Sequence, residues 1–146
     1  ITSIIPTRSL CFLLVENNIG GIAWVMSMLD GRQLVPLILN VKTEDTLYQR
    51  LLETYQPTYI CAPNHFAVQG EIVDSQYEYT LTKVSNSTPD LHSELSHLLP
   101  TSGSTGSPKL VRHKYDNIEA AGLNISTFFE LKDIFANVVK CFKSTL

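Results

Sequence analysis

Residues 10–15 (LCFLLV) form an unbroken apolar run, the pattern of a strand buried on both faces. In residues 18–29 the apolar positions Ile19, Ile22, Ala23, Met26 and Leu29 follow helical spacing, and Asp30-Gly31 is expected to stop that helix. Residues 34–40 (LVPLILN) predict a second apolar strand, whose Pro36 points to a strand start or a sheet edge. A second helix is expected over 43–55. Thr43 is its expected cap, Glu44 and Asp45 suit its positive end, and Leu47, Leu51, Leu52 and Tyr55 form its buried stripe. Pro57 breaks it, and residues 58–62 (TYICA) predict a third buried strand.

Strand, helix, strand, helix, strand with short connections implies an α/β fold, with parallel βαβ units in a layered sheet and flanking helices. The pattern changes after Pro63. Residues 71–84 hold two β-rich stretches around Ser75-Gln76, expected to be a hairpin, and 85–96 is polar with Pro89, as a surface linker would be. A glycine and hydroxyl-rich loop follows between two strands, the second being 110–115 (LVRHKY). Asp116-Asn117-Ile118-Glu119 resembles a capping box, followed by apolar Ala121, Ile125 and Phe128. A last helical pattern spans 133–142 with Ile134, Phe135, Val138, Val139 and Phe142. The expected organisation is one domain over 1–146: βαβ units in 1–63, hairpin and linker in 64–97, loop and helices in 98–146.

Composition narrows the class without choosing a function. At 146 residues, with 44% hydrophobic and 17% charged residues, the chain can bury a core without disulfide or metal staples. A net charge of −3 argues against nucleic-acid binding, and no apolar run is long enough for a membrane span. No secretory signal is evident, so a cytoplasmic setting is expected. Cys11, Cys61 and Cys141 lack CxxC spacing, and Cys11 and Cys61 read as small buried hydrophobes in a reducing compartment.

The chemistry concentrates in residues 98–109, LLPTSGSTGSPK. Gly103 and Gly106 permit positive φ and leave room for a ligand. Successive amides in such a turn can converge on an anion, Thr101, Ser102, Ser104 and Thr105 add hydroxyl donors, and Lys109 adds a point charge. Phosphate is the ligand that uses all three features. The glycine spacing differs from the Walker arrangement, and a strand rather than a helix is expected to follow.

The run from Leu98 to Lys109 resembles the phosphate-binding signature of the acyl-adenylate-forming enzymes: acyl-CoA synthetases, peptide-synthetase adenylation domains and luciferases. It matches that signature from its leading apolar residue to its closing lysine, although Leu110 stands where the family usually has a second glycine. The resemblance covers roughly residues 8–126. It implies an ATP- and Mg2+-dependent acid–thiol ligase that makes an acyl-adenylate from a carboxylic acid, then transfers the acyl group to coenzyme A or a carrier-protein thiol. Thr101, Ser102, Gly103, Ser104, Thr105, Gly106 and Lys109 would hold the β- and γ-phosphates. The family's adenine, ribose and acyl sites and its catalytic lysine lie further downstream, so the expectation is an N-terminal portion with no catalytic residue of its own, inactive alone. An acyl-CoA synthetase, as in fatty-acid metabolism, is the default.

Two other readings stand beside it. One is a truncated, non-catalytic relative acting as a nucleotide-binding or protein-interaction module through residues 133–142; the other is a flavodoxin-like phosphate binder. An isolated portion is also expected to expose apolar surface and self-associate. Arg112, His113 and Lys114 read as a solvated strand edge. His92, Glu94 and His97 are poorly spaced for a metal, so no metal site is expected, and His65 reads as a turn residue at a strand end where ligands gather in α/β sheets. Phe12, Trp24, Phe128 and Phe129 read as core.

Overall fold

The structure is a computed structural model that describes residue 5 and residues 8–87, 89–101 and 109–130. It is an α/β fold with a mixed seven-stranded sheet and three helices among these residues. In chain order the elements are β1 (Ser9–Val15), α1 (Ile19–Gly31), β2 (Leu34–Asn40), α2 (Asp45–Tyr55), β3 (Tyr59–Pro63), β4 (Glu71–Gln76), β5 (Tyr79–Lys83), β6 (Leu95–Pro100), β7 (Leu110–Lys114) and α3 (Tyr115–Phe128). The strand order is β4-β5-β3-β1-β2-β6-β7. β1 pairs in parallel with both β2 and β3, and β2 pairs in parallel with β6. The β4–β5 hairpin adds antiparallel to β3, and β7 adds antiparallel to β6.

β1 divides the core. Leu10, Phe12 and Leu14 join Val35, Leu37, Leu39, Ile60, Ala62 and Leu51 of α2 in one cluster. Cys11 and Leu13 join Leu34, Tyr59, Cys61, Tyr79, Leu81 and the α1 residues Trp24 and Met28 in the other. This follows from the period-two alternation of a strand apolar at every position: odd and even residues feed opposite faces, and each face needs its own helix. Phe12 and Trp24 are core residues, as their positions imply.

Several local expectations are corrected. Asp30 and Gly31 do not stop α1 but form its last turn; Arg32, at φ 55°, closes it with a backbone N–H to Met28 O. Asn18 caps the other end by accepting from the Gly21 N–H. Pro36 is interior, with β1 on one side and β6 on the other. The β2–β6 ladder has the one register pair Leu37–Leu98, so a missing donor interrupts little of it. Thr43 does not cap α2. Its amide and hydroxyl both donate to Asn40 O in a turn, and Glu44 takes the cap position without a side-chain bond. The hairpin turns at Tyr77-Glu78 rather than Ser75-Gln76, both turn residues having positive φ. The expected linker is tied down at its start, where Val84 N–H donates to Thr58 O and Ser85 Oγ to Pro57 O, and its last residues Leu95 and Ser96 belong to β6.

α3 begins at Tyr115, one residue before the expected capping box, and Lys114 at its cap makes no side-chain cap bond. Phe128 and Phe129 are not core: they are 80% and 63% exposed. The helical pattern at 133–142 and Cys141 lie outside the described residues.

Gly20 and Gly21 sit in the first turn of α1 directly under the β4–β5 turn. A Cβ on Gly20 would come within 2.3 Å of Tyr77 O and 2.9 Å of the Tyr79 ring. Trp24 Nε1 donates to Gln76 O across the same contact. Gly20→Ala is therefore expected to destabilise the fold by roughly 1–3 kcal/mol through overpacking. Helix propensity alone would give a gain of about 1 kcal/mol. Denaturant unfolding reads the sign.

Candidate functional site

Because β1, β2, β3 and β6 run parallel, their carboxyl ends share one edge of the sheet. Glu16 follows β1, Asn64 and His65 follow β3, and Thr101 follows β6. β1 connects onward to β2, and β3 to the β4–β5 hairpin, on opposite sides, so the β1/β3 boundary is the topological switch point where open α/β sheets place ligands.

In this chain the switch point is filled from within. The Tyr79 ring, fully buried, reaches over it from β5, accepting from the Glu16 N–H at 3.0 Å and donating to Asn18 Oδ1 at 3.4 Å. The same Asn18 oxygen accepts from Gly21 N–H at 2.8 Å, and Asn18 Nδ2 donates to Glu16 Oε2 at 3.1 Å. Two of the groups that would face an anion at the start of α1 are thus already bonded or covered. Above them Glu16 Oε1 and His65 Nε2 lie 3.3 Å apart, with side chains 32% and 65% exposed. An ion pair so open to water, formed when the imidazole is protonated, is worth about 0–1 kcal/mol. His65 sits in the turn after β3, as expected, and its imidazole reaches Glu16 at the end of β1.

The candidate site lies instead at the end of β6. β6 and β7 pair from Leu95–Lys114 to Pro100–Leu110. Beyond the last pair, Thr101 N–H and Thr101 Oγ1 both donate to Lys109 O, at 2.9 and 3.1 Å. The two ends of the glycine and hydroxyl-rich run are thereby fastened together at the mouth of a hairpin. Thr101 and Lys109 are exposed, and Lys109 has no ion pair among the described residues. Of the seven residues expected to hold phosphate, Ser102, Gly103, Ser104, Thr105 and Gly106 lie outside the described residues. The strands that frame them are present, and the segment is followed by a strand rather than a helix, as the sequence implies.

The stem of this hairpin carries an arrangement that the sequence did not disclose. His97 and His113 are register partners whose rings stack with centroids 4.4 Å apart and planes 1° from parallel. Ser96 Oγ is fully buried, donates to His113 O at 2.8 Å and lies 3.0 Å from His97 Nδ1. With its proton spent on the carbonyl, the hydroxyl is left to accept, which assigns the Nδ1–H tautomer to His97. Burial, and secondly the neighbouring His113, push the His97 imidazole down to about 4. The basic run at 112–114 is on an edge strand, with Arg112 and Lys114 exposed. Lys114 Nζ meets Glu94 Oε2 at 2.6 Å, a contact that lowers the carboxylate and raises the ammonium. Only the pairing of β6 with β7 makes partners of residues sixteen apart in sequence, and neither histidine sits in a motif.

Comparison with known families, curated proteins and solved structures returned no match. Function must be argued from the residues themselves.

Cys11 and Cys61 are buried free thiols, both pushed up chiefly by burial, and so are poor nucleophiles and metal ligands. Among the described residues no three His, Cys, Asp or Glu side chains gather as a metal site, and no helix is long and apolar enough to cross a membrane.

The histidine stack predicts a pH dependence. His97 is lowered in the folded state, so between about 6.5 and 4 the unfolded chain binds more protons than the folded one. Stability contributed there is present above 6.5 and is lost as the pH falls towards 4. The loss is on the order of 1–2 kcal/mol, less than the full shift because the ring is only half buried. Unfolding midpoints measured from pH 7 to 4 should fall more steeply in the parent than in His97→Gln.

Proposed function

We propose that this chain supplies the ATP-phosphate-binding loop of an acyl-adenylating ligase of the acyl-CoA synthetase type. The observation that carries the reading is the double hydrogen bond from Thr101 to Lys109 O, which closes a run of glycine and hydroxyl residues matching the adenylate-forming signature. A loop held at its ends has less conformational entropy to lose on binding than one tethered loosely. Its place at the carboxyl end of a parallel strand is the edge where α/β sheets receive ligands. The covered switch point at β1/β3 adds support, since Thr101 and Lys109 at the end of β6 are exposed.

In this reading the amides of residues 102–106 and the hydroxyls of Thr101, Ser102, Ser104 and Thr105 donate to the β- and γ-phosphates of ATP. Lys109 stands at the loop's exit as an ammonium without an ion-pair partner among the described residues, free to meet phosphate charge. When a substrate carboxylate attacks the α-phosphorus, negative charge builds on the departing pyrophosphate. Donors of the bound loop stabilise that charge. Mg2+ would neutralise phosphate charge alongside them. The acyl group, the thiol acceptor and the residues that bind adenine belong to no described part of this chain. The exposed apolar residues of α3 favour a second reading, in which the chain acts as an interaction module.

An isotope-edited NMR titration with Mg–ATP tests the proposal. The amides of residues 101–109 are expected to shift, and Lys109→Ala to weaken binding about tenfold or more, the effect of one lost charge-assisted contact. Equal affinity of parent and variant would overturn it.

A further inference from the structure

α3 buries little. Of its fourteen residues Ser126 alone is fully buried, while Leu123, Ile125 and Phe128 are 63%, 54% and 80% exposed, and Phe129 just beyond is 63% exposed. Ala121, Ile125 and Phe128 recur at four and three residues, which puts them on one side of the helix, away from the sheet. An exposed apolar stripe of this kind marks a contact surface, with Leu123 exposed beside it.

Two observations indicate what it contacts. The first is the chain itself. Phe129 N–H returns to Ile125 O, Glu130 N–H to Thr127 O, and Glu130 takes φ 54°, the left-handed conformation that ends a helix and turns the backbone. Sixteen residues then follow, 131–146, whose sequence carries Ile134, Phe135, Val138, Val139 and Phe142 at helical spacing. The second is charge. α3 carries Asp116 and Glu119 with Glu130 just beyond its C-cap, and its N-terminal Lys114 is paired with Glu94, whereas 131–146 carries Lys132, Lys140 and Lys143 against a single Asp133. For a chain that reverses at Glu130, Lys140 and Lys143 fall within a helical turn of the level of Glu119, and Cys141 falls near that of Ala120.

We propose that the Ala121, Ile125 and Phe128 stripe of α3 is the docking surface for residues 131–146 of the same chain, laid antiparallel as the second arm of a helical hairpin. The occupant is covalently attached, so its effective concentration is in the millimolar range and exceeds that of a second copy under ordinary conditions. The proposal does not depend on phosphate binding at the loop.

The test uses the full chain, isotope-labelled, with a nitroxide on Cys141; the other two thiols are buried and react poorly. The expected result is strong paramagnetic broadening of amides 117–123, unchanged on tenfold dilution and absent when labelled protein is mixed with unlabelled, spin-tagged protein. Phe128→Asp, at an exposed position that leaves the core intact, should reduce that broadening at least severalfold while the amides of β1 and β3 keep their shifts. Broadening that appears in the mixed sample would assign the surface to a second copy and overturn the proposal. No broadening of 117–123, with the β1 amides in place, would overturn it equally.

Discussion

β1 is the constraint on which everything else hangs. Leu10 to Leu14 are each no more than 3% exposed, and the strand is hydrogen-bonded on both sides to parallel neighbours. A strand apolar at every position has no solvent face, so the chain must supply a cover for each side. Trp24 and Met28 cover one, and Leu51 with its half-buried neighbours on α2 covers the other. Parallel pairing in turn forces long crossovers and brings the ends of β1, β2, β3 and β6 to a common edge. The position of the candidate loop is a consequence of that geometry.

Two positions along that edge are filled differently. At β1/β3 the Tyr79 hydroxyl and the Gly21 amide both donate to Asn18 Oδ1, and Gly20 lies tight beneath the hairpin turn. Inserting a ligand there would break several bonds and displace a fully buried ring. At the end of β6 the chain spends two bonds on joining Thr101 to Lys109, and the sequence between them is small and hydroxylated, without large apolar side chains. The stacked histidines and buried Ser96 fix the stem below.

The parts of this fold legible in the sequence were those where burial is total. The runs that became β1, β2 and β3 have one physical solution; the 3.6-residue periodicity located α1 but not its buried face, since Ile19, Ile22 and Met26 are 81%, 61% and 39% exposed and the helix buries Gly20, Gly21, Trp24 and Met28 instead. Local rules failed where tertiary contacts overrode them. Tyr77-Glu78 has no turn chemistry, yet the pairing of Gln76 with Tyr79 imposes positive φ on both turn residues. Pro36 reads as an edge residue and is interior, because its neighbour β6 pairs with β2 at a single point. Phe128 and Phe129 read as core because a helical stripe tells that a face is apolar without telling what covers it. The closure of the glycine and hydroxyl run by Thr101 and the His97–His113 stack required knowing that β6 and β7 pair.

The central claim is that the loop is fastened at its ends before any nucleotide arrives, and that nucleotide then adds to that order. Native-state hydrogen exchange at the Thr101 amide, without and with Mg–ATP, addresses it most directly. The account predicts protection of Thr101 in the free protein, comparable to the β6 amides beside it, and a further slowing when Mg–ATP is present. Exchange of Thr101 at the rate of an unstructured peptide, or protection that nucleotide leaves unchanged, would contradict it.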